Sequence, residues 1–442
     1  MARIRAILRQ RTDGNYGHFL NHRQSLSHCG QFLYYDTRNA DPDIIKTTRI
    51  ESLDLIDDTT RVIYDTQSRS DYGPGVGAVV CHPLRSSVLF IHGLTNCDQD
   101  RPYAMTRRFG AWAGFDPRNP AVEISALESR KLASEPVWGA LSGGTHAHSF
   151  SPDGRWVSFT YNDARLPDRR TVGFTLVDRW ESTNRQTMPD TKTCFEDNFD
   201  GVGWSALALI PEDPIESARE ECWISNPHDA HAPLKLAMIV RLRSSFTDPK
   251  WIDEIYVAEF PEYALKWPSM LQGPIHASGQ KKVGTWGYAV PMGIELRRLT
   301  HSDSAVHPGV AGPRHWLQAS NCGRWVYTMM RDSQGTVRVV RVEVSDGRWE
   351  FISENQESIT HPISIDPGGR QLSYLVGDRL RLLDLQTGEE TEIEWDTQSF
   401  GEIFGPVQFL RNSQGGLWNQ RIFWNARPKG SPWLQIWTAT LQ

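Results

Sequence analysis

Residues 146–160 read HAHSFSPDGRWVSFT. Two alternating segments flank the turn sequence Ser151-Pro152-Asp153-Gly154. Alternation at every second residue is the period of a strand with one buried face. Pro152 presets φ for a tight turn, and Gly154 allows positive φ. The stretch therefore predicts strand, turn, strand.

The phrase recurs. It returns at 22–36 (HRQSLSHCGQFLYYD), 315–328 (HWLQASNCGRWVYT) and 361–375 (HPISIDPGGRQLSYL). A weaker copy lies at 408–424, a copy with its glycine replaced at 77–91, and a degenerate one at 223–240. Further alternating segments follow, as in 253–259 (DEIYVAE), 336–343 (TVRVVRVE), 378–385 (DRLRLLDL) and 433–440 (WLQIWTAT). Two turn-linked strands plus further strands, repeated along the chain, make the blade of a β-propeller.

The expected fold is all-β: a single propeller domain over residues 1–442, with seven blades, or six as the alternative. The last blade supplies three strands of its own, near 405–410, 419–425 and 433–440. Residues 3–9 (RIRAILR) are expected to add the fourth and remove an open sheet edge. The stretches 97–140 and 162–200 lack the phrase and are rich in Pro, Arg, Asp and Asn. They are expected to be loops on one face.

A chain of 442 residues would ordinarily divide into two or three domains, but blades add length without adding independent cores. The net charge of −6, with no basic stripe, argues against a nucleic-acid partner. The 17 Trp are roughly three times average usage and fit packing between blades or stacking around a ligand. Six Cys without a C-x-x-C read as free buried thiols in a reducing compartment. The N-terminal MARIRAILRQRTDGNYGHF lacks the apolar segment of a secretory signal, and no apolar run reaches the ~18 residues of a membrane span. The expectation is a cytoplasmic protein with no membrane partner.

The phrase SPDGRWVSF resembles the blades of TolB-like propellers. The segments 143–163 (GGTHAHSFSPDGRWVSFTYND), 312–318 (GPRHWLQ), 296–309 (LRRLTHSDSAVHPG) and 88–93 (VLFIHG), with Glu220-Glu221 and Trp223, narrow the likeness. Together they resemble a TolB-like propeller family of unknown function typified by the enterobacterial YidR protein. The similarity spans nearly the whole chain with its motifs in order, and it brings no activity with it. A more distant likeness, in layout, is to oligogalacturonate lyases, which are propellers with a His-rich, Mn-type metal site. That likeness implies a lyase-like enzyme acting on an acidic sugar or oligosaccharide. TolB-like propellers also serve as scaffolds, which implies the alternative of a non-catalytic binding protein with a protein partner.

Four copies of the phrase open with His. His22, His146, His315 and His361 each precede their turn glycine by eight residues, and Gln408 precedes Gly416 likewise. Rotation about a propeller axis turns a shared repeat position into a ring at one height. Converging imidazoles suit a divalent transition metal such as Mn, Zn or Fe. His146, His315, His361 and His22 are thus the expected metal ligands, against the plainer reading of a ring of hydrogen-bonded structural histidines. His148, two residues beyond His146, is expected on the same side of the strand as a catalytic base, with Tyr161 as the other candidate. Arg314 is expected to hold a carboxylate bidentately. Weaker candidates are Glu220, Glu221, His228, Asp229 and His231 before an apolar run, the loop residues His301, Asp303 and His307, and the pair Arg107-Arg108 facing an anionic ligand. No G-x-S-x-G elbow, P-loop or H-E-x-x-H is present.

Overall fold

A computed structural model describes residues 2–66, 70–114, 124–133, 135–177, 195–225, 232–244, 250–275, 286–314, 316–410 and 420–442. It opens with strand β1 (Ala2–Gln10). The first sheet follows as β2 (Phe19–Leu20), β3 (Phe32–Asp36), β4 (Arg49–Asp54) and β5 (Thr60–Asp65). The second holds β6 (Val76–Cys81), β7 (Ser87–Gly93), β8 (Arg108–Gly114) and β9 (Ile124–Ala126). After the short parallel pair β10 (Ser129–Arg130) and β11 (Ala140–Leu141) comes the third sheet. It holds β12 (Gly144–Phe150), β13 (Trp156–Asp163), β14 (Leu166–Leu176) and β15 (Trp204–Leu207).

The fourth sheet is β16 (Ile215–Ile224), β17 (Lys235–Arg243), β18 (Trp251–Glu259) and β19 (Glu295–Arg298). The fifth is β20 (Gln318–Ala319), β21 (Trp325–Arg331), β22 (Val337–Glu343) and β23 (Trp349–Phe351). The sixth group is β24 (Ser364–Ile365), β25 (Gln371–Val376), β26 (Arg379–Asp384) and β27 (Glu390–Glu394). The last is β28 (Phe400–Phe409), β29 (Arg421–Pro428) and β30 (Gln435–Leu441). These two groups join through β1 into one eight-stranded sheet. Ala2–Arg5 run parallel to Thr391–Glu394, and Ala6–Gln10 run antiparallel to the last strand, with Ala6 opposite Leu441.

The turn read from the sequence is built the same way four times. Gly30, Gly154, Gly323 and Gly369 have φ of 75°, 71°, 71° and 71°. Each donates its N–H three residues back, to Ser27, Ser151, Ser320 and Asp366. The side chain at that position then accepts the N–H five residues on, as Ser151 does from Trp156 at 3.0 Å. Glycine meets the positive φ without a Cβ penalty, and the Ser or Asp side chain satisfies a backbone donor of the turn.

The inner strands are buried on both faces, and alternate residues of one strand enter different cores. In β7, Val88 and Phe90 pack with Tyr34 and Ile50 of the first sheet, while Leu89 packs with Phe150 and Val157 of the third. In β21, Val326 and Met330 face the fourth sheet, and Tyr327 and Met329 face β25. The first sheet in turn shares a core with the last strands, where Leu20 and Leu33 meet Phe423 and Ile436.

Two expectations are corrected. The stretches 97–140 and 162–200 are not simply loops, because they contain β8 to β11 and β14. In β14 only Thr171–Leu176 are buried, and its outer half carries Pro167, Asp168 and Arg169 in solvent. That polar half hid the strand period. The thiols of Cys81 and Cys222 are buried as expected, but those of Cys29 and Cys322 are exposed, and Cys194 lies outside the described residues. No helix among the described residues is long and apolar enough to cross a membrane.

Candidate functional site

The first strands of three sheets share a defect. β6, β12 and β16 each contain a register shift, and within it stands a residue with a Cβ at positive φ. These are Ala78 (54°), Ala147 (59°) and Glu220 (53°), and Gln24 (52°), just after β2, does the same. Non-glycine residues seldom adopt this conformation. A bulge of this kind re-aims the side chains around it.

The bulge at Ala147 separates His146 from His148, which a regular strand would have set side by side. His148 is fully buried, with Nε2 3.1 Å from the Thr145 hydroxyl and its ring edge-on to Phe159. Burial lowers its pKa to about 3. The Thr145 hydroxyl and the Gly110 N–H (3.0 Å) both donate to Oε1 of Glu128. Burial pushes the Glu128 carboxyl up to about 7.

His146 has different surroundings. Both its ring nitrogens are buried without a hydrogen-bond partner among the described residues. Burial, and then Arg108, Arg170, His148 and Arg314, hold its pKa well below the usual value. These arginines come from β8, β14 and the loop before β20. Among the described residues neither Arg108 nor Arg170 forms an ion pair. The Arg108 guanidinium lies 4.8 Å from the Tyr103 ring centroid, and Arg170 donates to Met105 Sδ at 3.3 Å. Burial, then Arg219, lowers the pKa of Arg170. The site therefore gathers positive charge, with Glu220 as the acidic neighbour of Arg170.

Arg314 links this group to His22. It pairs with Asp41 and lies 5.0 Å from the Trp316 ring centroid. Arg23 covers the same ring at 4.4 Å, donates to the Glu221 carbonyl, and keeps its Nη2 buried without a partner. The Trp316 indole N–H donates to His22 Nδ1 at 3.0 Å. Burial and then Arg314 lower the His22 pKa to about 3.

The other expected residues stand elsewhere. His361 has Nε2 3.2 Å from the Ile403 carbonyl and Nδ1 2.9 Å from the Thr360 hydroxyl. Its charged neighbours are Asp378 and Glu402, none of them shared with His146. Both His361 nitrogens are thus engaged by groups of the protein. Tyr161, expected as a candidate base, is fully buried. Its hydroxyl is taken up by Asp163 (2.9 Å), Tyr288 (3.2 Å) and the Ser142 N–H (3.1 Å). His315, His228, Asp229 and His231 lie outside the described residues. Among the described residues no group of three or more His, Cys, Asp or Glu is placed to hold a metal ion. The described residues therefore do not supply the expected ligand set, and no chemistry is derived through a metal.

Sequence reasoning missed Arg23, Arg170 and Trp316. A signal was present, because Arg23 adjoins His22, and Arg314 and Trp316 flank His315 at the same repeat position.

Comparison with known proteins agrees with the resemblance read from the sequence. Residues 75–180 match a family model described as a protein of unknown function (DUF3748). Over 436 residues the chain is 28% identical to the uncharacterized protein YidR of Escherichia coli (strain K12), covering 93% of this chain and 96% of that protein. The chain is a homologue of YidR. A solved oligogalacturonate lyase in complex with manganese matches at a TM-score of 0.55 and 9% identity, over 100% of this chain and 99% of that one. At that identity the match to the lyase shows a shared β-propeller fold and no shared chemistry. TolB from Acinetobacter baumannii matches at a TM-score of 0.36 and 13% identity, over 81% of this chain and 62% of that one. YidR itself carries no described activity in its name, so function has to be argued from the site.

Proposed function

We propose that the chain is a seven-bladed propeller enzyme that binds an acidic sugar in its central channel and cleaves a glycosidic bond by β-elimination. The blade count is supported by the cores that run from each sheet to the next and from the last strands back to the first. A cavity of about 280 Å³ supports a common axis, since it is lined by Cys81 of β6, Gln318 of β20, Ser364 of β24 and Gln408 of β28, with His22 from the segment after β2.

The observation that carries the chemistry is the pair of unpartnered His146 nitrogens among Arg108, Arg170 and Arg314. Guanidiniums bind carboxylates through paired N–H donors. A uronate carboxylate held there would have its negative charge stabilised as the proton on the adjacent carbon is removed. Burial keeps His146 unprotonated, which is the state a base requires, and a bound carboxylate raises its proton affinity. The C–H electrons form the new C=C bond, the C–O bond to the leaving sugar breaks, and its oxygen takes up a proton.

Incubation with oligogalacturonate should generate the ultraviolet absorbance of an unsaturated uronate, and His146→Ala should abolish it while leaving the melting profile intact. The absence of both product and calorimetric binding across a panel of uronates would overturn the reading.

A further inference from the structure

A cleft of about 990 Å³ opens beside the channel, between the third and fourth sheets. Arg170 and Asn162 belong to its lining, and Asn162 lies two residues along β13 from Thr160, the register partner of His146, so cleft and channel site adjoin. The volume is at the upper end of what small-molecule sites need.

The strand period explains its lining. Alternate residues of a strand share a face. Ser217 and Arg219 of β16, Arg241 and Arg243 of β17, and Trp251 and Asp253 of β18 fall on one face of the fourth sheet. The register sets Ser217 opposite Arg241, Arg241 opposite Asp253, and Arg243 opposite Trp251. Across the cleft stands the polar outer half of β14, with Asp168, Arg169 and Arg170.

Ion pairs hold these guanidiniums in place: Arg219 with Asp253 at 2.7 Å, Arg241 with Glu216 at 3.0 Å, and Arg243 with Asp213. A guanidinium has five N–H donors, so one carboxylate does not exhaust it. The Arg243 guanidinium lies 5.9 Å from the ring centroid of Trp251, and that Trp is 45% exposed. A large aromatic left this open beside cations is a stacking surface.

We infer that this cleft is a second subsite for the channel ligand, binding the further units of an acidic oligosaccharide. Arg241 and Arg243 hold a second carboxylate, and Trp251 stacks on a sugar face. The inference rests on the acidic-sugar reading of the channel. The mixed lining favours a saccharide over a nucleic acid. Asp168, Asp213 and Glu216 accept hydrogen bonds from the several hydroxyls of each sugar unit, which a phosphodiester backbone offers sparsely.

The test is calorimetry of galacturonic acid and trigalacturonic acid on the full chain. The trimer should bind about tenfold more tightly than the monomer, the worth of a charge-assisted contact. Arg243→Gln and, separately, Trp251→Ala should remove that preference. Trp251 is exposed, so its loss tests the site without disturbing a core, and a melting curve checks that both variants fold. A trimer that binds no better than the monomer, or a preference that survives both variants, overturns the subsite while leaving the channel reading standing. If neither sugar binds the unaltered chain, the channel reading falls and the subsite with it.

Discussion

Trp316 donates its indole N–H to Nδ1 of His22 across 294 residues of chain. The bond joins the loop entering the fifth sheet to the segment after β2, and the same ring carries Arg23 on one side and Arg314 nearby. Trp316→Phe keeps a ring for the two cations but leaves a buried imidazole nitrogen unpaired. Such a loss costs about 1–3 kcal/mol. Urea unfolding should show that decrease, and Trp316→Ala should cost more and also weaken uronate binding by freeing both arginines. Unchanged stability in Trp316→Phe would mean that the hydrogen bond contributes nothing.

The first strand supplies an edge to two groups at once, parallel to β27 and antiparallel to β30. Deleting residues 2–10 should expose both edges and uncover Leu441 and Ile393, which share a core with Ala6. The shortened chain should melt at lower temperature and scatter light on heating, because unpaired edges template association. An unchanged melting curve would show that the fold does not depend on β1.

The turns were legible because glycine is the residue that positive φ selects. Gly30, Gly154, Gly323 and Gly369 mark the same bend in four sheets. The bulges at Ala78, Ala147 and Glu220 were not, because positive φ there falls on residues with a Cβ and nothing in the local sequence announces it. For that reason His146 and His148 read as an equivalent pair when, across the bulge, His148 meets the Thr145 hydroxyl and His146 has no hydrogen-bond partner among the described residues. The shared offset of His361 was real, but its partners Ile403 and Thr360 come from the tertiary packing. The arginine cluster was illegible for the same reason, since Arg108, Arg170 and Arg314 meet only in the fold.

Three histidines away from the arginine cluster are held neutral by burial: His18, His82 and His92, each with its pKa lowered to about 4. A lowered pKa means that the unfolded chain binds these protons more readily. The stability they contribute is complete above pH 6.5, their ordinary value, and is lost as pH falls toward 4. His92 is the clearest case, with Nε2 2.9 Å from the Tyr64 hydroxyl and its ring among Phe109 and Phe195. Denaturant midpoints should fall between pH 6.5 and 4, and His92→Gln should flatten part of that fall. A midpoint independent of pH over this window would contradict the assignment.

Glu128 predicts a slope of the opposite sign. Its Oε1 accepts from Gly110 and Thr145, while Oε2 is buried without a partner. Burial raises its pKa from 4.5 to about 7, so folding favours the protonated form. The stability from this group is present below about pH 4.5 and is lost as pH rises through 7, on the order of 3 kcal/mol in all. Glu128→Gln stays neutral throughout and keeps a carbonyl for the Gly110 N–H. Measured against the unaltered chain at pH 5 and pH 8, the variant should gain relative stability at the higher pH, whatever its offset at the lower. Thr145→Val should not mimic this, since it removes one donor and leaves the carboxyl buried. Parallel pH profiles for the unaltered chain and Glu128→Gln would show that the carboxyl is already ionised at pH 5.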